Sequence, residues 1–381
     1  MKIVLYGIQT INKGAELMLY AILKELEQKY PDAVVYIPKA RLQQGPGYMH
    51  TEIKVKYWPN EELIRIFHLK KILKLLHLPC KIVQDLQFVK NADYFIDASG
   101  FRFSDQFNMS DESVRWWDYL LQTYYQKKCK IIFLPQAFGP VEQVNTRKVF
   151  RSLSDYASVI MPREMTSFNY LKSSGVVDMD KVKVFTDFTS LVDGVFPSQY
   201  RRVRDGICII PNMKMIDSGK ISFDRYVDYL SMIIETGEKS GHPVYLLNHE
   251  GKKDEELAYL CKNRTGGRVE VITGLNALDV KGVISSAYLV VTSRFHGLAS
   301  ALNSCVPCLS TSWSHKYEEL YRDYALDSYV LPLDNKEESL KMIMKVLEDS
   351  ENTRIREHLR LQVPKVKEQT KQMWDIVWRV Q

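Results

Sequence analysis

Residues 288–310 have the pattern of a strand, a short polar loop, a helix and a second strand. The apolar run at 288–291 is short and β-branched, which is typical of a buried parallel strand. Helical spacing follows it, with apolar side chains at Leu298, Ala299, Ala301 and Leu302. A chain built from such units is expected to fold as α/β, with parallel strands covered by helices.

The polar loop of this unit, residues 293–297, lies where the predicted strand ends and the predicted helix begins. Unpaired backbone N–H groups and the positive end of the helix dipole favour an anion at such a position. Arg294 adds a planar fork of donors, and His296 adds a titratable donor. The local sequence therefore predicts a phosphate or carboxylate site at these two residues. A structural salt bridge with a capped helix is the alternative.

The same alternation of strands and helices recurs on both sides of an aperiodic segment, residues 186–205. Because 381 residues exceed the usual size of one hydrophobic core, we expect two doubly wound, Rossmann-like domains. Their predicted bounds are 1–190 and 205–350. Residues 351–381 are predicted to form a helical tail, interrupted at Val363 and Pro364, that returns to the first domain.

Several further loops follow predicted strands of the first domain. A Gly-punctuated loop at 7–16 follows the first strand, and Asp97 lies near the end of a strand at 93–98. A loop at 135–140 follows the strand predicted at 130–134. Since ligands bind beyond the carboxyl ends of parallel strands, these loops are expected to converge on one sheet edge. Arg163 follows another strand, 158–161, and Asp187 follows one predicted at 183–185.

Composition excludes several classes of protein. The chain is 45% hydrophobic and 26% charged, and it lacks the run of roughly 20 apolar residues that a membrane helix requires. The net charge of +6 is too small to indicate nucleic-acid binding but suits anionic ligands. The start of the chain has no signal-peptide pattern, so a cytoplasmic protein is predicted. The six cysteines suit reduced thiols, and no metal or cofactor is expected.

Residues 62–81 depart from the α/β pattern. From 65 to 81 they contain five Lys or Arg and no acidic residue, within an amphipathic helical spacing. Such a helix can lie in the interface of an anionic membrane, which would place the protein at the inner face of the membrane. A helix that covers the sheet and exposes its lysines to solvent is the favoured alternative.

Taken together, the strand-end motifs resemble those of the polysaccharide pyruvyltransferases, which move a pyruvyl group from phosphoenolpyruvate onto a sugar as a ketal. The resemblance covers nearly the whole chain in a distinctive order. It rests on residues 7–19, 95–100, 136–140, 162–171 and 293–307. It implies a GT-B-like architecture with the site in an interdomain cleft. Ala15 and Ser99 depart from the residues that the family often has at these two positions.

The resemblance implies that Arg163, Arg294 and His296 bind phosphoenolpyruvate. Lys316 follows the last strand of the 288–310 unit and is a further candidate for the same anion. His296 is a candidate acid because an unperturbed imidazole titrates near pH 6.5, which is about neutrality. Candidates for the general base or for acceptor contacts come from strand ends and the first loop: Glu16, Asn12, Asp97 and Asp187.

The acceptor is expected to be a sugar, with a polyprenyl-diphosphate-linked precursor as one form. Two other functions stay open. A GT-B glycosyltransferase that uses a nucleotide sugar is one, although residues 300–303 offer no carboxylate for a ribose diol. A non-catalytic anion-binding protein of the same fold is the other, and the departures at Ala15 and Ser99 leave room for it.

Overall fold

The computed structural model describes residues 1–38, 51–59, 88–312, 316–327 and 329–380. The chain divides into two compact units. The first comprises Met1–Thr10, Met18–Phe185 and Asp375–Gln381, and the second comprises Ile11–Leu17 and Thr186–Trp374. These bounds differ from the sequence-based division because residues 11–17, residues 186–190 and most of the tail cluster with the second unit. The basic segment at 62–81 lies outside the described residues.

The first unit is built on a parallel sheet with the order β3-β2-β1-β4-β6-β5, and β7 also pairs with β6. The strands are β1 Lys2–Tyr6, β2 Val34–Ile37, β3 Lys54–Tyr57, β4 Tyr94–Asp97, β5 Phe101–Phe103, β6 Lys130–Phe138 and β7 Val159–Pro162. The helices are α1 Lys13–Lys29, α2 Asp111–Gln126, α3 Val144–Tyr156 and α4 Met165–Ser173. Short 3-10 turns occur at Asp105–Phe107 and Met179–Lys181.

The second unit has a parallel sheet of order β10-β9-β8-β11-β12. Its strands are β8 Ile207–Ile210, β9 Val244–Leu247, β10 Glu270–Ile272, β11 Leu289–Thr292 and β12 Cys308–Ser310. Its helices are α5 Lys214–Asp217, α6 Phe223–Glu238, α7 Gly251–Arg264, α8 Ala277–Ser285, α9 Phe295–Asn303, α10 Lys316–Asp323, α11 Lys336–Leu347 and α12 Asp349–Arg379. Turns of 3-10 type lie at Phe188–Leu191 and Ser198–Val203.

Both sheets confirm the predicted α/β class with two Rossmann-like units. In the second unit, every residue of β8, β9 and β11 is buried, as expected for parallel strands with helices on both faces. The order of the second sheet changes direction between β8 and β11. That change creates a switch point at which parallel sheets bind ligands beyond the ends of their strands.

Two predictions for the first unit are wrong, one of a loop boundary and one of a strand. The loop predicted at 135–140 begins too early, because β6 continues through Pro135 to Phe138. A register shift between Phe133 and Gln136 accommodates the proline, which lacks an N–H for the strand ladder. Residues 183–185 are not a strand; only a single bridge joins Val182 to Ile160 there.

The predicted interruption at Val363 and Pro364 is also wrong, since α12 runs unbroken from Asp349 to Arg379. Leu359, Val363 and Val366 are buried in the core of the second unit, and this burial outweighs the hydrogen bond that the proline removes. The end of α12 packs in the first unit, as predicted for the tail. Trp378 donates to Glu25 at 2.8 Å and stacks edge-on against Tyr30 and Tyr94.

Candidate functional site

The loop between β11 and α9 is held by a buried polar network. The hydroxyl of Ser293 lies 2.6 Å from those of Tyr226 and Thr311. The carbonyl oxygen of Ser293 accepts hydrogen bonds of 2.7 Å from the Asn212 amide and the Tyr317 hydroxyl. Since every one of these groups is buried, the backbone that carries Arg294 and His296 is fixed before any ligand binds.

Arg294 directs its guanidinium to two carboxylates of the same unit. One terminal nitrogen pairs with Glu250 and the other with Asp254. Burial lowers the pKa of Arg294, but the two carboxylates outweigh it and raise that pKa above its ordinary value. The positive charge of Arg294, which is predicted to bind an anion, is therefore already neutralised by two carboxylates of the protein. The salt-bridge alternative describes the observed contacts, and the Nε atom of Arg294 is buried without a hydrogen-bond acceptor among the described residues.

His296 lies in the first turn of α9 and faces Asp187. Its Nε2 atom is 3.3 Å from Oδ2 of Asp187, and both side chains are almost buried. Asp187 precedes the 3-10 turn Phe188–Leu191 and accepts hydrogen bonds from the backbone N–H and hydroxyl of Thr189. Two residues predicted separately, 109 positions apart in the chain, thus form an imidazole–carboxylate pair.

Residues 11–17, which comprise the end of the first loop and the start of α1, belong to the second unit. Asn12 caps α1, because its side-chain oxygen accepts from the N–H groups of Gly14 and Ala15 at 2.9 and 3.3 Å. Lys13 donates its backbone N–H to the carbonyl of His249 at 3.1 Å. A Cβ atom added at Gly14 would overlap the imidazole of His296, so the closeness of this loop to the ring requires glycine.

Glu16 is 1% exposed and pairs with Lys13 at 2.7 Å. Burial raises the pKa of Glu16, although Lys13 and the backbone N–H of Ala277 at the start of α8 lower it. Oε1 of Glu16 has no hydrogen-bond partner within the described part of the chain. The start of α1, which carries Glu16, contacts His249 through Lys13 and His296 through Gly14. Glu16, Asn12, Asp187, Arg294 and His296 all belong to the second unit.

His249 is a residue of this cluster that the sequence reasoning missed. It is 3% exposed, and its Nδ1 atom has no hydrogen-bond partner among the residues described. Burial lowers the pKa of His249 well below its usual value, and the charges of Arg294, His296 and Lys13 lower it further. His249 is thus neutral near pH 7. The signal was available, because Asn248, His249 and Glu250 follow β9 as a polar strand-end loop before a helix.

Lys316 begins α10 and is 8% exposed. Its ammonium lies 5.7 Å from the ring centre of Phe295 and 5.8 Å from that of Tyr317. Both rings flank the loop that carries Arg294, so Lys316 is next to the predicted anion site through a cation–π contact.

Asp97 and Arg163, the predicted site residues of the first unit, both contact Gln136. The Gln136 amide donates to Asp97 at 2.8 Å, and the Gln136 carbonyl accepts the backbone N–H of Arg163 at 3.0 Å. Asp97 is fully buried, and burial raises its pKa. Arg163 is 5% exposed, with its Nε atom 3.5 Å from Glu164. Three neighbouring strands, β4, β6 and β7, therefore bring these side chains to one edge of the first sheet.

The described residues contain no group of three His, Cys, Asp or Glu side chains placed to hold a metal ion. None of the described helices is both long and apolar enough to cross a membrane.

A family model described as polysaccharide pyruvyl transferase matches residues 12–315. The chain belongs to this family. The match begins at Asn12 and contains every predicted site residue except Lys316. It confirms the resemblance drawn from the strand-end motifs. No curated protein sequence matches the chain.

Solved structures with the same fold share little sequence identity with this chain. The UDP-GlcNAc 2-epimerase from Neisseria meningitidis, bound to UDP-GlcNAc, superposes with a TM-score of 0.62 at 12% identity, over 100% of both chains. HepE from Anabaena, in complex with UDP and glucose, gives 0.58 at 14% identity, over 98% of this chain and 99% of that one. The UDP-GlcNAc 2-epimerase from Methanocaldococcus jannaschii gives 0.54 at 12%, over 92% and 94%. These likenesses establish the GT-B-like fold of this pyruvyl transferase family member.

Proposed function

We propose that this protein transfers the pyruvyl group of phosphoenolpyruvate to two hydroxyls of a sugar, forming a ketal and releasing phosphate. The observation that carries the proposal is the His296–Asp187 pair at the start of α9, beside Arg294, in a chain of the pyruvyl transferase family. A proton donor next to cationic groups and a helix N-terminus is the combination that an enol phosphate needs in order to react.

The reaction has two additions at one carbon. A proton adds to the methylene carbon of phosphoenolpyruvate, and the first sugar hydroxyl bonds to the neighbouring carbon, losing its own proton. The second hydroxyl then bonds to that carbon as phosphate leaves, and its proton goes to a base or to the phosphate. The methylene carbon takes one proton from the acid and the two hydroxyls release two, so one of these restores the acid and the other stays on the released phosphate.

His296 is the acid of the first step in this proposal. Asp187, whose Oδ2 atom lies 3.3 Å from Nε2, is proposed to orient the ring for proton delivery to the substrate. Glu16 is the base candidate best suited to receive a hydroxyl proton, because it is buried in the same unit and burial raises its pKa. Asn12 is occupied as the cap of α1 and is proposed to shape the loop.

Phosphoenolpyruvate brings a phosphate and a carboxylate, so it needs several donors. Arg294, Lys316 and the first N–H groups of α9 are the proposed donors of the second unit. Arg163 is a proposed donor of the first unit, and Asp97 is proposed to fix Gln136 beside it.

The acceptor is proposed to be a sugar of a polysaccharide precursor carried on a polyprenyl diphosphate. The basic sequence of residues 62–81 supports this choice, since such a segment suits the surface of an anionic membrane and a cytoplasmic enzyme at its inner face. Comparison of ketal formation on the free and the lipid-linked form of the same sugar distinguishes a free acceptor from a lipid-linked one.

The function is tested by incubating the protein with phosphoenolpyruvate and a panel of free and lipid-linked glycans. Phosphate release together with an acceptor mass increased by a pyruvyl ketal is the expected result. UDP-sugars are the control, because proteins of this fold have been solved with UDP and UDP-GlcNAc. Release of UDP with glycosyl transfer, and none with phosphoenolpyruvate, would instead identify a glycosyltransferase.

Gly14→Ala is expected to lower the transfer rate by about 10- to 1000-fold, because the new methyl group displaces the His296 ring and misplacement of a catalytic group is costly. The rate of ketal formation under saturating phosphoenolpyruvate measures this effect. Gly219→Ala serves as the control for a Gly→Ala change that is strained but distant from the ring, since its φ is +72° and no atom lies within 4 Å of its added Cβ. An unchanged rate in Gly14→Ala would mean that His296 does not take part in the chemistry.

Arg163→Ala is expected to raise the dissociation constant of phosphoenolpyruvate by about 30-fold or more, the usual cost of one charged contact to an anion. Calorimetric titration with phosphoenolpyruvate measures it. Arg151→Ala, at an exposed position in the first unit, is the control for the lost charge. Equal affinities for both variants would remove Arg163 from the donor site.

A further inference from the structure

The two carboxylates that hold Arg294 differ in their surroundings. Asp254 has a side chain that is 2% exposed, and its second oxygen accepts the backbone N–H of Met213 at 2.9 Å. The side chain of Glu250 is 31% exposed. Both of them bond the same guanidinium, one through each terminal nitrogen. Asp254 is therefore anchored on both sides within the protein, whereas Glu250 has a route to solvent.

The backbone of Glu250 is fixed independently of its side chain. Its N–H donates to the side-chain oxygen of Asn248 at 3.2 Å, and the residue forms an antiparallel bridge with Asn12. Glu250 is the N-cap residue of α7, yet its side chain makes no capping hydrogen bond. A rotation about the side-chain bonds alone would thus release Arg294 without breaking the helix start or the bridge.

Charge balance requires such a release if Arg294 binds an anion. With Glu250 and Asp254 ionised, the trio carries a net charge of about −1, and a phosphate or carboxylate brought to the same guanidinium would meet two carboxylates. One of the two carboxylates therefore has to move away from Arg294 before binding of the anion becomes favourable. Separating Asp254 from Arg294 would cost much free energy, because it would leave an unpaired buried carboxylate. The carboxylate of Glu250 lies nearer the surface, where water can solvate it.

We propose that Glu250 is an internal occupant of the anion position on Arg294, and that an anionic group of the substrate displaces it, while Asp254 holds the guanidinium in place. This inference rests on the proposed function in taking the anion to be phosphoenolpyruvate. Glu250 then sets the affinity for the donor, since each anion must compete with a tethered carboxylate. Asp254 is a positioning residue.

The test uses two amide substitutions with opposite expected effects. Glu250→Gln removes the competing charge, so the dissociation constants of phosphoenolpyruvate and inorganic phosphate are expected to fall by about 3- to 10-fold, the scale of a partly exposed ion pair. Asp254→Asn loosens the guanidinium, and both constants are expected to rise by about tenfold or more. Titration calorimetry of the full-length protein measures both. Glu256→Gln, exposed on the same helix, controls for the change in net charge.

The outcomes separate this inference from the proposed function. Tighter phosphate binding by Glu250→Gln without any pyruvyl transfer by the wild-type protein would keep the displaceable carboxylate and reject phosphoenolpyruvate as substrate. Pyruvyl transfer by the wild type, with anion binding by Glu250→Gln that is unchanged or weakened, would overturn the displacement and leave the function intact. Absence of anion binding in the wild type and in Glu250→Gln would overturn the anion position itself.

Discussion

His296→Ala is expected to reduce pyruvyl transfer by about 100- to 10,000-fold, the usual contribution of a general acid or base. The loss should appear in kcat more than in the binding of phosphoenolpyruvate, because proton delivery to carbon belongs to the transition state. Asp187→Asn should give a smaller loss, since the amide keeps its size but cannot stabilise a charged imidazole 3.3 Å away. Ketal formation measured at saturating donor provides both values.

His242→Ala is the matched control for the loss of an imidazole. This residue stacks on Tyr288 with ring centroids 4.0 Å apart and is bonded to the carbonyl of Asp205, away from the acidic and cationic cluster. Its substitution should leave the rate of transfer within about twofold, as for most surface changes. If His242→Ala and His296→Ala lose activity equally, the assignment of His296 as the acid is wrong.

Arg294→Ala is expected to lose transfer by about 30- to 1000-fold and also to lower the free energy of unfolding by about 3–5 kcal/mol. The second effect arises because Asp254, with its side chain 2% exposed, would lose the charge that neutralises it. Denaturant unfolding monitored by tryptophan fluorescence, together with the transfer assay, measures the two effects separately.

A double variant separates stability from function at Arg294. Arg294→Ala combined with Asp254→Ala removes the stranded carboxylate, so most of the lost stability should return, while transfer should stay at the level of the single variant. If activity returns together with stability, Arg294 acts only as a structural partner of Asp254. The donor anion would then be held by other groups, with Lys316 and the start of α9 as the remaining candidates in the second unit.

Much of the fold followed from the periodicity of the sequence. The strand predicted at 288–291 appears one residue later as β11, and the helix predicted after the 293–297 loop appears as α9, which begins inside that loop at Phe295. Two of the failures were at prolines. Pro135 lies inside β6 and Pro364 inside α12, since a register shift in one case and burial of neighbouring valines in the other compensate for the missing N–H.

The candidate site could be located but not assembled from the sequence. Arg294, His296, Glu16 and Asp187 were each chosen as polar residues at the end of a strand or the start of a helix. The pairing of Asp187 with His296 could not be inferred, because Asp187 lies in an irregular segment just before the turn Phe188–Leu191. Only the tertiary structure brings its carboxylate to His296. His249 lies in a strand-end loop of the same kind, but its burial, which makes it a neutral imidazole, depends on neighbours distant in the sequence.

The local chemistry of residues 293–297 determined that this loop presents an arginine and a histidine at a helix start, because strand and helix patterns depend on near neighbours in the chain. Tertiary structure decided what Arg294 and His296 face. Glu250, Asp254 and Asp187 come from other elements, and the parallel sheet brings strand ends together irrespective of their separation in sequence. A charge in a folded protein takes its properties from those neighbours, so the loop first interpreted as an open anion site is one in which Arg294 already holds two carboxylates.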